Sequence, residues 1–182
     1  MPNIELPSST ALVVVDVQAG TLPNARAVSA ESLVSHVGSL VEAFRASGRP
    51  IAFVVSTGTA PGVTEYGPGG RVWPEGFAEL APGIQSRPEE AVQRRAGWSA
   101  FAGTSLAEEL AAKAITDTVI VGLATTFGVE STARSAADLG FSVVVVSDAV
   151  SDPDPSGHER SLTRVFPALG RVRTTSEVLA AL

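Results

Sequence analysis

The chain has 182 residues, 45% of them hydrophobic, enough to bury a substantial core in one domain spanning residues 1–182 and too few for a second full one. Its 13 basic and 19 acidic side chains leave a net charge of -6, which opposes attraction to phosphate backbones and anionic lipid, so neither nucleic acid nor a membrane is expected as a partner. The absence of cysteine excludes disulfides, thiolate metal ligands and a thiol nucleophile.

The amino-terminal Met1-Pro-Asn-Ile-Glu-Leu lacks the basic start and apolar centre of a secretory signal, and no apolar run approaches the length of a membrane span. A cytoplasmic protein is the expectation. Ala11-Leu-Val-Val-Val-Asp16 reads as a buried strand that ends in a carboxylate. From about Ala27 to Ala46, apolar residues at Val34, Val37, Val41 and Phe44 recur at helical spacing, and Gly48 is placed to end that helix. Pro50 to Ser56 reads as a second strand.

Residues 57–90 are rich in Gly and Pro and too long for a plain connector, so a functional loop with a short helix near Glu75 to Leu80 is expected. Ala91 to Arg95 forms a third strand, Trp98 to Phe101 a loop, and Ser105 to Ala114 a helix capped by Thr104 or Ser105. Residues 118–123 make the fourth strand. A small-residue loop with Gly122 and Gly128 follows, and helical spacing resumes at Val129, Ala133 and Ala136. Phe141 to Val146 is the fifth strand; a helix over Ser156 to Phe166, a short sixth strand at Arg171-Val-Arg173 and a closing helix from Ser176 complete the chain.

Strands alternating with helices at crossover length predict an α/β fold: a doubly wound six-stranded parallel sheet of order 3-2-1-4-5-6 with helices on both faces. The carboxyl ends of strands 1 and 4 then meet at the switch point. Asp16, the loop from Ala124 to Gly128 and, from strand 3, Arg95 converge there by topology, and such a loop aims backbone N–H groups at a ligand above the sheet.

The stretches Val13-Val-Val-Asp16-Val-Gln18, Arg95-Ala-Gly-Trp-Ser-Ala-Phe-Ala-Gly-Thr-Ser-Leu106, Val121-Gly-Leu-Ala-Thr-Thr-Phe-Gly-Val-Glu-Ser-Thr-Ala-Arg134 and Ser147-Asp-Ala149 together resemble the isochorismatase-like hydrolase superfamily. The resemblance spans nearly the whole chain and implies oligomers, a homodimer or larger, acting on small molecules. In most of that family an Asp, a Lys and a Cys form the catalytic set. Here the corresponding residues are Asp16, Arg95 and Gly128, so an acyl-enzyme route through a thiol is closed. The metal-binding members carry an Asp and His cluster after the second strand; this chain has Ser56-Thr-Gly-Thr-Ala-Pro61 there, so no metal and no other cofactor is expected. True isochorismatases also have glycine in place of the cysteine. By that resemblance Asp16 would protonate a vinyl ether on a small carboxylate-bearing metabolite, and water would complete the cleavage. The alternative is a catalytically silent member that binds a small ligand or serves as an assembly subunit.

The resemblance further implies a cis peptide between Leu123 and Ala124, with the Ala124 and Gly128 N–H groups facing substrate oxygen. Gln18, Arg71, Trp73, Trp98, Phe101, Thr125 and Phe127 are the candidate substrate-binding residues. An arginine beside Asp16 stabilises its carboxylate and cannot itself relay a proton, so Arg95 is expected to lower the pKa of Asp16 and favour a general base over a general acid. His36 and His158 read as structural, Glu130 and Arg134 as an ordinary helical pair, and Gly67-Pro-Gly-Gly70 as a turn without the flanking strand and helix of a phosphate loop.

Overall fold

A computed structural model describes residues 5–182; residues 1–4, on which the reading of a signal-free amino terminus partly rests, lie outside the described residues. Apolar runs that are buried on both faces set the framework. They form β1 (Thr10–Val15), β2 (Ile51–Ser56), β6 (Asp117–Leu123) and most of β7 (Ser142–Ser151), while the edge strands β5 (Ala91–Arg95) and β8 (Arg171–Arg173) are polar and only partly covered; a two-stranded ribbon, β3 (Val63–Thr64) and β4 (Gly67–Pro68), lies in the chain between β2 and β5. The six sheet strands lie in the order β5-β2-β1-β6-β7-β8, all parallel, which is the predicted 3-2-1-4-5-6 winding.

Alternate residues of each strand face opposite layers. On one side Leu12, Val14, Phe53, Val119, Val121 and Val144 pack against α1 (Ala30–Ala46) through Leu33, Val37, Leu40 and Phe44, and against Val178 of α6 (Thr175–Leu179). On the other, Ala11, Val13, Val15, Val54, Ile120 and Val145 meet α2 (Leu106–Ala112), α3 (Glu130–Asp138) and α5 (Phe166–Leu169) through Leu106, Leu110, Ala133, Ala136 and Phe166. Ser29 caps α1 by accepting the Ser32 N–H at 3.2 Å. At α6, Thr174 and Glu177 exchange the reciprocal bonds of a capping box.

Three local expectations change. The stretch from Glu75 to Leu80 is a run of turns without a helix, because Gly76 takes φ +80° and Leu80 pairs with Gln18 instead. Strand β7 continues past Val146 to Ser151; its polar Asp148 accepts the N–H (2.7 Å) and hydroxyl (2.8 Å) of Thr175, the first residue of α6, so the polar residues do not end it. The helix expected over Ser156 to Phe166 is α4 (Pro155–Arg160), widened to a π turn over Ser161–Val165 before α5. Pro167, with no N–H to bond back and a ring that crowds the preceding turn, lies just beyond the widened stretch.

The irregular segment is tied to the body by Arg45. Its guanidinium holds the Glu90 carboxylate at 2.7 and 2.8 Å and the Gln85 carbonyl at 2.6 Å, fixing the approach to β5 and hence the position of Arg95.

Candidate active site

Strand β1 delivers Asp16 to the carboxyl end of the sheet. The residue turns out of the strand at φ 51°, a left-handed conformation that Asp tolerates better than most residues, while its N–H still bonds the Val54 carbonyl at 2.8 Å. Arg95 closes β5 in register with Ser56 of β2. From there it reaches over the end of β2: Nη2 donates to Asp16 Oδ2 at 2.8 Å and Nη1 to the Gly97 carbonyl at 2.6 Å. The pair is nearly dry, with side chains 2% and 10% exposed for Arg95 and Asp16. Asp16 Oδ1 and Arg95 Nε are buried without a hydrogen-bond partner among the described residues.

Burial dominates the acidity of Asp16. Loss of hydration pushes its pKa up to about 6, against the lowering influence of the Arg95 charge and hydrogen bond. The expected net lowering by Arg95 is therefore corrected: one guanidinium does not offset removal of the carboxylate from water.

The third component follows β6. The Leu123–Ala124 peptide is cis, and a π turn over Thr125–Val129 leads into α3. The Phe127 and Val129 N–H groups both donate to the Ala124 carbonyl, at 3.0 and 3.1 Å, which closes the turn. Gly128 faces the ion pair directly. A Cβ added there would lie 3.1 Å from Asp16 Oδ2 and 3.2 Å from Arg95 Nη2, so the missing side chain is what leaves space for the guanidinium.

Other candidates distribute unevenly around this centre. Gln18 is fully buried: its amide donates to the carbonyls of Ser56 and Phe77 at 3.0 Å each and accepts the Ser56 N–H at 2.8 Å. Both of its N–H donors are thus occupied in fastening the exits of β1 and β2. Trp73 donates to the Ser56 hydroxyl at 2.9 Å and stacks on Phe77 with centroids 4.9 Å apart, which brings it beside the end of β2. Arg71 is exposed and bonds the Tyr66 carbonyl beside the β3–β4 ribbon, rather than reaching Asp16. Trp98 and Phe127 stack at 5.0 Å and remain 58% and 45% exposed, an open aromatic pair on residues next to Gly97 and Gly128. Phe101 is turned elsewhere: it stacks at 5.9 Å on Phe141, which precedes β7 at the opposite end of the sheet. A cleft of about 310 Å³ opens along Thr57 and Trp73, with Glu75, Glu79 and Arg94 in its walls; Asp16 and Arg95 are not among its lining residues.

Thr125 is fully buried, and its hydroxyl lies 2.8 Å from His158 Nδ1 on α4. Beside it, Asp152 Oδ2 accepts the Thr126 N–H at 2.7 Å and hydroxyl at 2.8 Å. Sequence reasoning singles out neither Asp152 nor a site role for His158. The available signal was a carboxylate at the exit of an apolar strand, as at Asp16, but that exit is concealed when β7 is ended at Val146. Desolvation lowers the pKa of His158, partly opposed by the charges of Asp152 and Glu159.

A buried acid with an unpartnered oxygen, a fixed cation and a turn beside them carry the charge and the free acceptor that proton chemistry on a small ligand needs. Among the described residues no group of three or more His, Asp or Glu side chains is arranged to hold a metal ion.

Residues 10–177 match the family model described as the isochorismatase domain. The isochorismatase family protein YecD of Escherichia coli O157:H7 is 38% identical over 184 residues, covering 96% of both chains. YwoC of Bacillus subtilis (strain 168), also an isochorismatase family protein, is 34% identical across 97% of this chain and 95% of its own. The solved structure of an isochorismatase family protein from Burkholderia thailandensis superposes with a TM-score of 0.91 at 36% identity, covering 98% of this chain and 97% of the other.

Proposed function

This chain belongs to the isochorismatase family, and on that premise we propose that it is a hydrolase or lyase that works without a thiol, using Asp16 as acid and base on a small carboxylate-bearing metabolite. In the reaction read here, Asp16 gives a proton to the terminal carbon of a vinyl ether. Water adds to the resulting oxocarbenium carbon, and the adduct collapses to an alcohol and a carbonyl product as a proton returns to Asp16. Arg95 holds Oδ2 and leaves Oδ1 without a protein partner, and its fixed charge favours an anionic ligand. The N–H groups of Ala124 and Gly128 would face substrate oxygen, and Trp98 and Phe127 offer an aromatic wall.

The observation that carries this reading is the buried, unpartnered Oδ1 of a carboxyl whose pKa is raised to about 6, an acid able to hold a proton close to neutral pH. In a screen of small vinyl-ether carboxylates, Asp16→Asn is expected to lower turnover by about 100-fold or more, the ordinary worth of a positioned acid or base. Retention of wild-type turnover by that variant would remove Asp16 from the chemistry.

One observation favours a second reading, a catalytically silent binder: Asp16 is already engaged by Arg95. On that reading a small carboxylate raises the melting temperature without product formation, and detectable turnover of the same compound excludes it. Both readings carry an intracellular, homo-oligomeric protein with no resident cofactor.

A further inference from the structure

Two buried polar side chains lie outside the acid/base scheme yet grip the loop that serves it. Asp152, fully buried just after β7, takes both the N–H and the hydroxyl of Thr126 on Oδ2 and the Asp154 N–H, at 3.0 Å, on Oδ1. Its own carbonyl accepts the N–H groups of Arg26 (3.2 Å) and Ala27 (3.0 Å), so its place is set by the segment leading to α1. Six residues on, His158 meets the Thr125 hydroxyl. Helix α4 can approach this closely because residue 157 is glycine: a Cβ there would stand 2.9 Å from Thr126 Cγ2. Just beyond these parts, the Ser161 hydroxyl after α4 donates to Glu130 Oε2 at the start of α3 at 2.7 Å.

We infer that Asp152 and His158 are positioning residues for the candidate site, clamping Thr126 and Thr125 so that the turn holds Ala124 and Gly128 against the Asp16–Arg95 pair. The inference rests on the reading of Asp16 as the acid/base of this crevice. It assigns neither residue contact with substrate. Each acts through a threonine, and the turn transmits the effect to Gly128, where an added Cβ would stand 3.1 Å from Asp16 Oδ2. A buried hydroxyl and a buried amide that lose such partners have no water to replace them, so the turn rather than the solvent must adjust.

The test uses the intact, isotope-labelled protein and reads two quantities by NMR: hydrogen exchange at the Thr126 and Gly128 amides, and the midpoint of the Asp16 side-chain carboxyl titration. His158→Ala is expected to speed exchange at both amides by about tenfold, and to move the Asp16 midpoint by about half a pH unit. Thr125→Val, which deletes the hydroxyl at similar volume, should reproduce the effect, and His158→Asn, which keeps a polar atom near the Nδ1 position, should largely restore wild-type values. Asp152→Asn should loosen Thr126 in the same way. If His158→Asn behaves like His158→Ala, or if exchange rises while the Asp16 midpoint stays fixed, the residues merely stabilise the fold and the inference is overturned. Turnover is not read in this experiment, so failure of the clamp is distinguishable from loss of the acid/base reading, which the Asp16→Asn assay decides.

Discussion

At Asp16 two opposing influences act on one proton. Desolvation favours the neutral acid, Arg95 favours the carboxylate, and burial prevails, lifting the pKa from 3.8 to about 6. A group whose pKa is higher folded than unfolded contributes stability that is fully present below pH 3.8 and is lost as pH rises through about 6. His158 runs the other way, its lowered pKa contributing stability above the ordinary histidine range that is lost on acidification, so the wild type alone mixes the two. The difference between wild type and Asp16→Asn isolates the carboxyl: measured by urea unfolding, it should shift against the wild type by on the order of 2 kcal/mol between about pH 4 and pH 7. Gly128 gives a second expectation at this scale. Gly128→Ala presses a methyl to 3.1 Å from Asp16 Oδ2 and 3.2 Å from Arg95 Nη2, so it should strain the pair and displace the Asp16 titration with little loss of overall helicity by circular dichroism.

Among the elements, β6 leaves no room for a side chain at Gly122. Gly122 sits at φ +122° where the register with β7 shifts, and a Cβ on it would fall 1.9 Å from the Val15 carbonyl of β1. Gly122→Ala cannot be absorbed by a side-chain movement, because the clash is with backbone; a loss of more than about 4 kcal/mol in denaturant unfolding, or failure to fold, is expected. This element also shows what a sequence makes legible. The runs at 11–15, 51–55 and 118–123 declare themselves because a strand covered on both faces is apolar at nearly every position, and their order follows from right-handed crossovers. The meeting of Asp16, Arg95 and Gly128 follows from that order. Less legible is whatever depends on polar pairing across the chain: Gln18, read as substrate-binding, is locked to Ser56 and Phe77, and the partners of Asp148 inside β7 and of Asp152 and His158 behind the turn are not announced by their neighbours in sequence. Phe101 shows the converse. Its aromatic character suggested a pocket wall, but the apolar partner available to it, Phe141, lies at the other end of the sheet.

Across the whole molecule, no helix among the described residues is long and apolar enough to cross a membrane, and the net charge of -6 favours dispersal in water. Against that background Val63, Tyr66 and Val72 are 87%, 90% and 85% exposed on and beside the β3–β4 ribbon, an apolar surface suited to the homo-oligomer proposed above. Sedimentation velocity should find an assembly that Val63→Ser with Tyr66→Ser weakens toward monomer; a monomeric wild type would remove the oligomer from the account. On the proposed function, a chain without a thiol keeps a working acid in Asp16. The most direct test of that reading is the titration of the Asp16 carboxyl carbon by ¹³C NMR in the intact protein, assigned by its loss in Asp16→Asn. A midpoint near 6 is expected, and a midpoint at or below the ordinary 3.8 would contradict it, because Arg95 would then hold the group ionised throughout the working range.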